Sequence, residues 1–515
     1  MNVTIAADRP SSASVAVALP YIDVHETHTG LVVLAGDRAF KAKKPIATHF
    51  LDFRTAEQRE RACLREVELN SRLSPESYLG VAHLTDPCGG PAEPIVVMRR
   101  YREEDRLTAL IARGPDESVR VVLDTIADAL ARFHARAERS PEINAEGKLC
   151  AVDGRWRENL SELNSFVGEP VSEISFKVLA RVQRLAAEFV SGRAPLFARR
   201  VEEGCIVDGH GDLLADDIFW ADGKLALLDC LEFDDKLRHI DRIDDAAFLA
   251  MDLEFLGRKD LSDYFIQRYI VHSGDRAPSS LWDFYIAYRA VVRAKVDCIR
   301  HSQGNAEAAR DAGRHLAIAV RHLENGSVRM ALVGGNPGTG KSTVAHALAE
   351  TVGAQLISTD DVRRELTDSG VITGSTGILN GGLYRPRNVR RVYELVLDRA
   401  RALLGDGYSV ILDGTWRDPH LRAYAHLLAS EMFSAVVELM CIARVETAAK
   451  RILTRRPGNS EVTPEIAAAL AREQNGWDTA CALDTSQPIE QTVQQAHAMW
   501  RRSIYPPGLH RGVPS

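Results

Sequence analysis

Eight residues, Gly335-Asn336-Pro337-Gly338-Thr339-Gly340-Lys341-Ser342, constrain what this chain can fold into more than any other stretch. They fit the pattern G-x-x-x-x-G-K-[ST], with the apolar run Met330–Val333 before them and Thr343–Val352 at helical spacing after them. Strand, glycine-rich turn and helix start, in that order, gather backbone N–H groups and the positive end of a helix around an anion. The glycines allow the backbone to curl around a phosphate without a Cβ clash, and Thr343 opens the helix behind the loop. Lys341 is placed to reach the outer phosphates, and the Ser342 hydroxyl is placed for Mg2+. An ordinary turn between strand and helix would require neither the Lys-Ser pair nor both flanks. The loop predicts a site for a nucleoside triphosphate, taken as ATP.

Beyond the loop the chain alternates helix and strand, as a parallel α/β sheet requires. Gln355–Ser358 reads as a strand, with Asp360 just beyond it and Arg363 one helical turn later. Ligands in open α/β sheets sit at the carboxyl ends of strands, so Asp360 is expected to face an acceptor. Tyr408–Leu412 reads as a further strand ending at Asp413, where an acidic residue commonly supports the magnesium shell. Arg451, Arg455 and Arg456 follow a strand at Val436–Ile442. Arginines at i and i+4 share a helix face, and either close over the phosphates or form a solvated basic surface. Asp484-Thr485-Ser486 ends one more short segment, read as a border of the adenine pocket.

At 515 residues the chain exceeds one hydrophobic core, so two or three domains are expected. Its 71 acidic and 64 basic residues give a formal charge of -7, which argues against nucleic acid as the main partner. The 8 cysteines are scattered without a C-x-x-C pair, a usage that fits a reducing compartment and no structural zinc. No apolar run approaches membrane-spanning length, and the N-terminus lacks a signal core, so a cytoplasmic protein without a membrane partner is expected.

The first half carries a second constellation. Leu31–Leu34 and Ala39–Lys43 flank the turn Gly36-Asp37 as a hairpin, and period two puts Lys41 and Lys43 on one face. A charged helix over about Thr55–Leu73 carries Glu66 among apolar positions. A second helix, with Val119, Val122, Leu123, Ile126, Leu130 and Phe133 at helical spacing, ends near His134, which reads as a packed structural histidine. Further on, His210-Gly211-Asp212 follows a short strand, Asp217 comes five residues later, and Asp229 ends the strand Leu225–Leu228. From 281 to 324 the chain reads as helical, with Arg289, Arg293 and Lys295 on a solvated face beside an apolar stripe.

The segment 205–245 resembles the catalytic segment of aminoglycoside phosphotransferases and other kinase-like folds, whose pattern is H-G-D-x-x-x-x-N, a strand, then a metal-binding Asp. One carboxylate there accepts the proton of the attacking hydroxyl while others hold magnesium on the phosphates. The resemblance implies Asp212 as the base and Asp217 and Asp229 as metal ligands, with Asp217 standing where the family has Asn. It also implies a Lys–Glu pair on the α- and β-phosphates, formed by Lys41 (or Lys43) and Glu66, with Glu26–Gly30 as the nucleotide-covering turn. The C-terminal part resembles the small P-loop kinases, in particular those of the AAA-33 type. There the matching pieces are the loop, Asp360 and Arg363, Asp413, and the lid arginines Arg451 and Arg455.

The whole chain resembles a bacterial family that joins these two halves, further carried by KAKKPIATHFLDF at 41–53 and REVELNSRLSPESYLGV at 65–81. The fold expected is an α+β kinase-like domain over 1–325, followed by an α/β P-loop domain with a parallel sheet over 326–515. The activity implied is Mg2+-dependent transfer of phosphate from ATP to a small hydroxylated molecule. Two other readings remain open: a first half that binds nucleotide or ligand without turnover and regulates its neighbour, and a P-loop half that phosphorylates nucleic-acid 5′-ends. The acceptor and the oligomeric state are not legible.

Overall fold

The computed structural model describes residues 22–26, 30–47, 52–85, 89, 92–168, 174–375, 380–454 and 476–504. Packing divides the chain into two compact units, Met1–Ala129 with Asp212–Leu237, and Leu130–Gly211 with Arg238–Ser515. Sequence order and packing therefore divide it at different places, because the helices between 130 and 326 group with the C-terminal sheet.

The first unit is built on a five-stranded antiparallel sheet of β1 (Ile22–Glu26), β2 (Gly30–Ala35), β3 (Arg38–Lys43), β4 (Tyr78–Leu84) and β5 (Glu93–Arg99), ordered β1-β2-β3-β5-β4. The β2–β3 register pairs Ala35 with Arg38 across Gly36-Asp37, and Gly36 takes a φ of +60° that a tight turn requires. The helix Ala56–Ser71 begins with a capping box, Thr55 accepting from Gln58 N–H while the Gln58 side chain accepts from Thr55 N–H. Its buried side, Cys63 and Glu66 included, faces the sheet, where Cys63, Tyr78 and Val96 share a small core. The segment Asp212–Leu237 adds the hairpin of β7 (Ile218–Ala221) and β8 (Lys224–Leu227).

In the second unit, β6 (Ile206–Asp208) and β9 (His239–Asp241) pair antiparallel amid helices. The helix Ala308–Gly326 leads through Ser327 and Val328 into β10 (Arg329–Gly334). With β11 (Gln355–Ser358), β12 (Val410–Asp413), β13 (Ala435–Ile442) and β14 (Cys481–Asp484), it forms a parallel sheet ordered β11-β12-β10-β13-β14. The central strand β10 is buried along its whole length, as expected of a strand covered on both faces. Ala331, Val333, Val344, Leu348, Ile411 and Leu439 are among the residues that fill this core. The chain leaves β10 toward β11 and β12 on one side and returns as β13 and β14 on the other. That reversal opens a crevice at the carboxyl end of β10. Among the described residues no helix is long and apolar enough to cross a membrane.

Candidate functional site

The crevice is lined by the loop 335–342. Gly335, Gly338 and Gly340 all hold positive φ, at 139°, 82° and 84°. A Cβ on Gly335 would lie 2.5 Å from the Cys441 carbonyl oxygen, and one on Gly338 would lie 2.5 Å from that of Ala448. Glycine is thus required twice over, by conformation and by space. Thr339 Oγ1 donates to the Asn336 carbonyl at 2.8 Å, closing the loop on itself beside Pro337. Lys341 is the first residue of the helix Lys341–Val352, followed by Ser342 and Thr343, so the helix's positive end opens on the loop.

β12 sets its last residue, Asp413, beside Val333 of β10 and Ser358 of β11, at the same edge as the loop. Asp413 is 4% exposed, and its Oδ1 has no hydrogen-bond partner. Burial pushes its carboxyl pKa up, opposed by the nearby Lys341 charge and a hydrogen bond with Ser342, and aided by the Asp360 carboxylate. Asn336 Oδ1 is likewise buried without a partner. Orphaned acceptors next to a lysine, a serine hydroxyl and a collar of backbone N–H groups are what a hydrated cation and a polyphosphate would satisfy together.

Asp360 lies in the first turn of the helix Thr359–Asp368, whose N-cap Ser358 accepts from the Asp360 N–H. Arg363, one turn on, donates to Asp360 Oδ1 at 2.5 Å, and its guanidinium lies 4.6 Å from the centre of the Tyr384 ring. Arg451, on the helix Val445–Thr454, is held by Thr485, Nη1 to Oγ1 at 3.2 Å and Nη2 to the carbonyl at 2.7 Å. Thr485 in turn donates to the Thr339 carbonyl at 2.6 Å. Arg451 and the Asp484–Ser486 segment are thus fixed against the loop itself, and Arg451 is not a solvated surface charge. Arg455 and Arg456 lie outside the described residues.

In the first unit, Lys41 and Lys43 take opposite oxygens of Glu66, at 2.9 and 2.5 Å, and Glu66 is fully buried. Lys41 also contacts Asp229 Oδ1 at 2.7 Å, while Lys43 contacts Glu232 Oε1 at 2.5 Å. The period-two expectation holds: Lys44 is directed elsewhere, to Glu26 at 2.6 Å. Burial pulls the pKa of Lys41 down, but Asp229, Glu66 and Glu232 outweigh it and leave the ammonium more firmly protonated than usual.

Asp229 sits one residue past Leu228 with a φ of +61°, its N–H donating to the Tyr78 hydroxyl at 3.1 Å. Cys230 N–H donates to Asn70 Oδ1 on the Glu66 helix at 2.8 Å. Asp217 ends a short 3-10 turn, and its carbonyl accepts from Leu228 N–H at 3.0 Å. Its carboxyl is held well above the ordinary range by burial and then by the charges of Asp229, Asp212 and Asp216. Asp217 thus lies within reach of the charges of both Asp212 and Asp229. Among the described residues no group of three His, Cys, Asp or Glu side chains forms a metal cage, so an ion here would take part of its shell from phosphates and water. Thr27–Thr29 of the expected covering turn lie outside the described residues.

In the second unit, Asp245 accepts from the N–H groups of His210 and Gly211 at 2.7 and 2.9 Å, and His134 contacts it at 2.9 Å. His134 also meets Tyr269 at 2.7 Å, which makes it the packed histidine expected. The solvated face expected for Arg289 is wrong. Arg289 is 5% exposed, paired with Asp244 at 2.7 Å and donating to the Gly211 carbonyl at 3.2 Å, because the helix Ser279–Ser302 is buried on more than its apolar stripe. Lys295 pairs with Glu162 at 3.3 Å. Glu232, Asn70, Tyr78 and Tyr393 carry site contacts that sequence reasoning missed; only Glu232 left a signal, as one of the acidic residues recurring after Asp229.

An AAA domain model, AAA_33, matches residues 330–474. The Mycobacterium tuberculosis protein Rv2004c is 63% identical over 486 residues, covering 94% of this chain and 96% of its own, and the Mycobacterium bovis protein Mb2027c matches equally. Among solved structures, a choline/ethanolamine kinase family protein from Mesorhizobium loti aligns with 60% of this chain and 92% of its own at 15% identity and a TM-score of 0.36. A gluconokinase from Sinorhizobium meliloti aligns with 34% of this chain and 94% of its own at 17% identity and a TM-score of 0.25. The chain belongs to the family of these mycobacterial proteins and carries the AAA_33 domain in its C-terminal part.

Proposed function

We propose that the protein is a Mg2+-dependent ATP phosphotransferase acting on small hydroxylated molecules, with the P-loop domain as its main catalyst. The observation that carries this reading is the orphaned Asp413 oxygen, buried beside Ser342 and Lys341 at the mouth of a loop that only glycine can build. Ser342 and Asp413 would hold the metal, which when bound screens the charge of the phosphates. Lys341 stabilises charge on the transferring phosphoryl group. Asp360, fixed by Arg363, receives the proton of the acceptor hydroxyl, and Arg451 approaches the phosphates from the opposite wall. Labelled ATP offered with a panel of sugars, polyols, aminoglycosides and nucleosides tests it: Lys341→Ala should abolish transfer that the parent protein performs. A parent that labels 5′-hydroxyl oligonucleotides and no small molecule would replace this reading with the end-kinase one.

A second reading concerns the first half, where Lys41 and Glu66 would grip phosphates and Asp217 and Asp229 a metal, with Asp212 as base. Asp217 stands in the place of an Asn, and burial with the neighbouring carboxylates pushes its pKa up; the replacement favours nucleotide binding without turnover. In that case Asp212→Ala leaves total ATP turnover unchanged. A large loss from that single change would show that the first half is itself a catalyst.

A further inference from the structure

We propose that the Thr415 hydroxyl donates a hydrogen bond to the phosphoryl acceptor of the P-loop site, with Tyr393 holding it in place, and that the acceptor is a polyol with neighbouring oxygens. The inference rests on the acceptor chemistry proposed above for Asp360.

Past Asp413 the chain runs Gly414-Thr415-Trp416. Trp416 is fully buried at a φ of +50°, a conformation costly for an aromatic residue. Three contacts hold it there: its indole N–H donates to the Leu412 carbonyl at 3.0 Å, its backbone N–H donates to the Tyr393 hydroxyl at 3.2 Å, and its ring meets that of Tyr393 edge-on at 4.9 Å. Thr415 N–H donates to the same phenol oxygen at 3.1 Å.

A phenol oxygen has two lone pairs and one hydrogen. Both lone pairs of Tyr393 are used by backbone N–H groups, so only its hydrogen is left for Thr415 Oγ1, 3.3 Å away. Burial raises the Tyr393 pKa, so that hydrogen is retained. Thr415 Oγ1 is therefore an acceptor toward Tyr393, and its own hydrogen is available to be donated. Thr415 is also the one residue from Val410 to Trp416 that is not buried.

The direction of the donor is set by its neighbours. Tyr393 belongs to the helix Pro386–Gly405, which packs on the helix Thr359–Asp368, and it lies within the field of Arg363. The contact with Tyr393 therefore holds the Thr415 hydroxyl beside the helix that packs on the one carrying Asp360. A Cβ on Gly414 would lie 2.8 Å from the Tyr393 hydroxyl and 2.9 Å from Thr359 Cγ2, so this segment packs directly against the residue that precedes Asp360. A carboxylate that takes a proton and a hydroxyl that gives a hydrogen bond are matched by a molecule presenting one reacting alcohol and a second oxygen beside it.

The test uses the full chain carrying Asp212→Ala, with labelled ATP and a panel of glycerol, myo-inositol, D-ribose, D-gluconate and simple mono-alcohols. Thr415→Val keeps the shape and removes the donor; Thr415→Ser keeps the donor. Expected are a polyol KM raised about three- to tenfold by Thr415→Val, the range for one lost hydrogen bond, an unchanged KM for Mg-ATP, and recovery in Thr415→Ser. Tyr393→Phe should raise the polyol KM in the same way. An unchanged polyol KM in Thr415→Val, or an equal rise in the KM for Mg-ATP, overturns the inference while leaving phosphotransfer standing. A parent protein that hydrolyses Mg-ATP yet transfers to no polyol on the panel overturns the acceptor chemistry itself, and the role of Thr415 with it.

Discussion

Lys41 and Asp229 are joined directly, Nζ to Oδ1 at 2.7 Å, although Asp229 is half exposed and Lys41 is not. This makes Lys41 the lysine that reaches the open side of the site, while Lys43, 1% exposed at its side chain, closes the inner side between Glu66 and Glu232.

The two lysines should therefore separate by experiment. Lys43→Met leaves two buried carboxylates short of a cation and should cost on the order of 3 kcal/mol of stability, read in urea melts. Lys41→Met leaves Glu66 with Lys43 and should cost less, but should weaken binding of a fluorescent ATP analogue at least about tenfold. Binding is read in a Lys341→Ala background, so that only the first half reports. The reverse pattern would assign the phosphate-gripping role to Lys43.

Gly338→Ala puts a methyl group 2.5 Å from the Ala448 carbonyl at a φ of 82°. The loop must move to admit it, so nucleotide binding by the P-loop domain should fall by about a hundredfold or more. The melting temperature should change little, because the loop lies outside the core of β10, β12 and β13. Isothermal titration with Mg-ATP and a thermal melt check the two halves of this expectation.

How much of the fold and site was legible in the residues depends on how local each feature is. The loop 335–342, Asp413 and the His210–Asp212 turn are short segments whose chemistry and conformation are fixed by residues next to one another. The Lys41–Glu66 pair could be expected because alternation and helical spacing each place one partner, yet the choice between Lys41 and Lys43 needed the packing of Glu232, 189 residues from Lys43. Arg289 was misplaced because a helix pattern shows an apolar stripe but not whether the opposite face meets Asp244. Tyr393 left no signal, since its role consists of accepting backbone N–H groups 22 and 23 residues away.

Arg193 offers a test of packing that no motif announces. Its guanidinium is 1% exposed and donates to Gly192 and Leu404 carbonyls, to the Met432 carbonyl at 3.0 Å and to Ser434 Oγ at 3.1 Å. Gly192, Leu404 and Met432 stand at the C-terminal ends of the helices Phe176–Gly192, Pro386–Gly405 and Pro419–Glu431, so one cation meets the negative ends of three helices. Burial without a carboxylate partner pulls its pKa down to about 9. Arg193→Met should cost about 2–4 kcal/mol in chemical denaturation, by leaving helix-end carbonyls unpaired. Arg193→Lys should recover only part of this, because one ammonium cannot span all three ends. A melt unchanged in Arg193→Met would show that the helix ends find other donors.

His322 supplies a pH dependence with a defined sign. It lies on the helix that leads into β10, between Asp283 Oδ1 at 2.6 Å and Glu254 Oε2 at 2.9 Å, and is 5% exposed. Burial works against its charge, but the bonds to Asp283 and Glu254 prevail and lift its pKa to about 9. In the unfolded chain an imidazole titrates near 6.5. Between these values the folded state holds a proton that the unfolded state has released, so stability falls as pH rises through this window. The full contribution is present below about pH 6.5 and is lost by about pH 9, amounting to at most about 3 kcal/mol. Urea denaturation from pH 6 to 9.5 should show this decline in the parent protein, and His322→Gln should show a lower and flatter profile. A variant with the parent's slope would place the titration on another group.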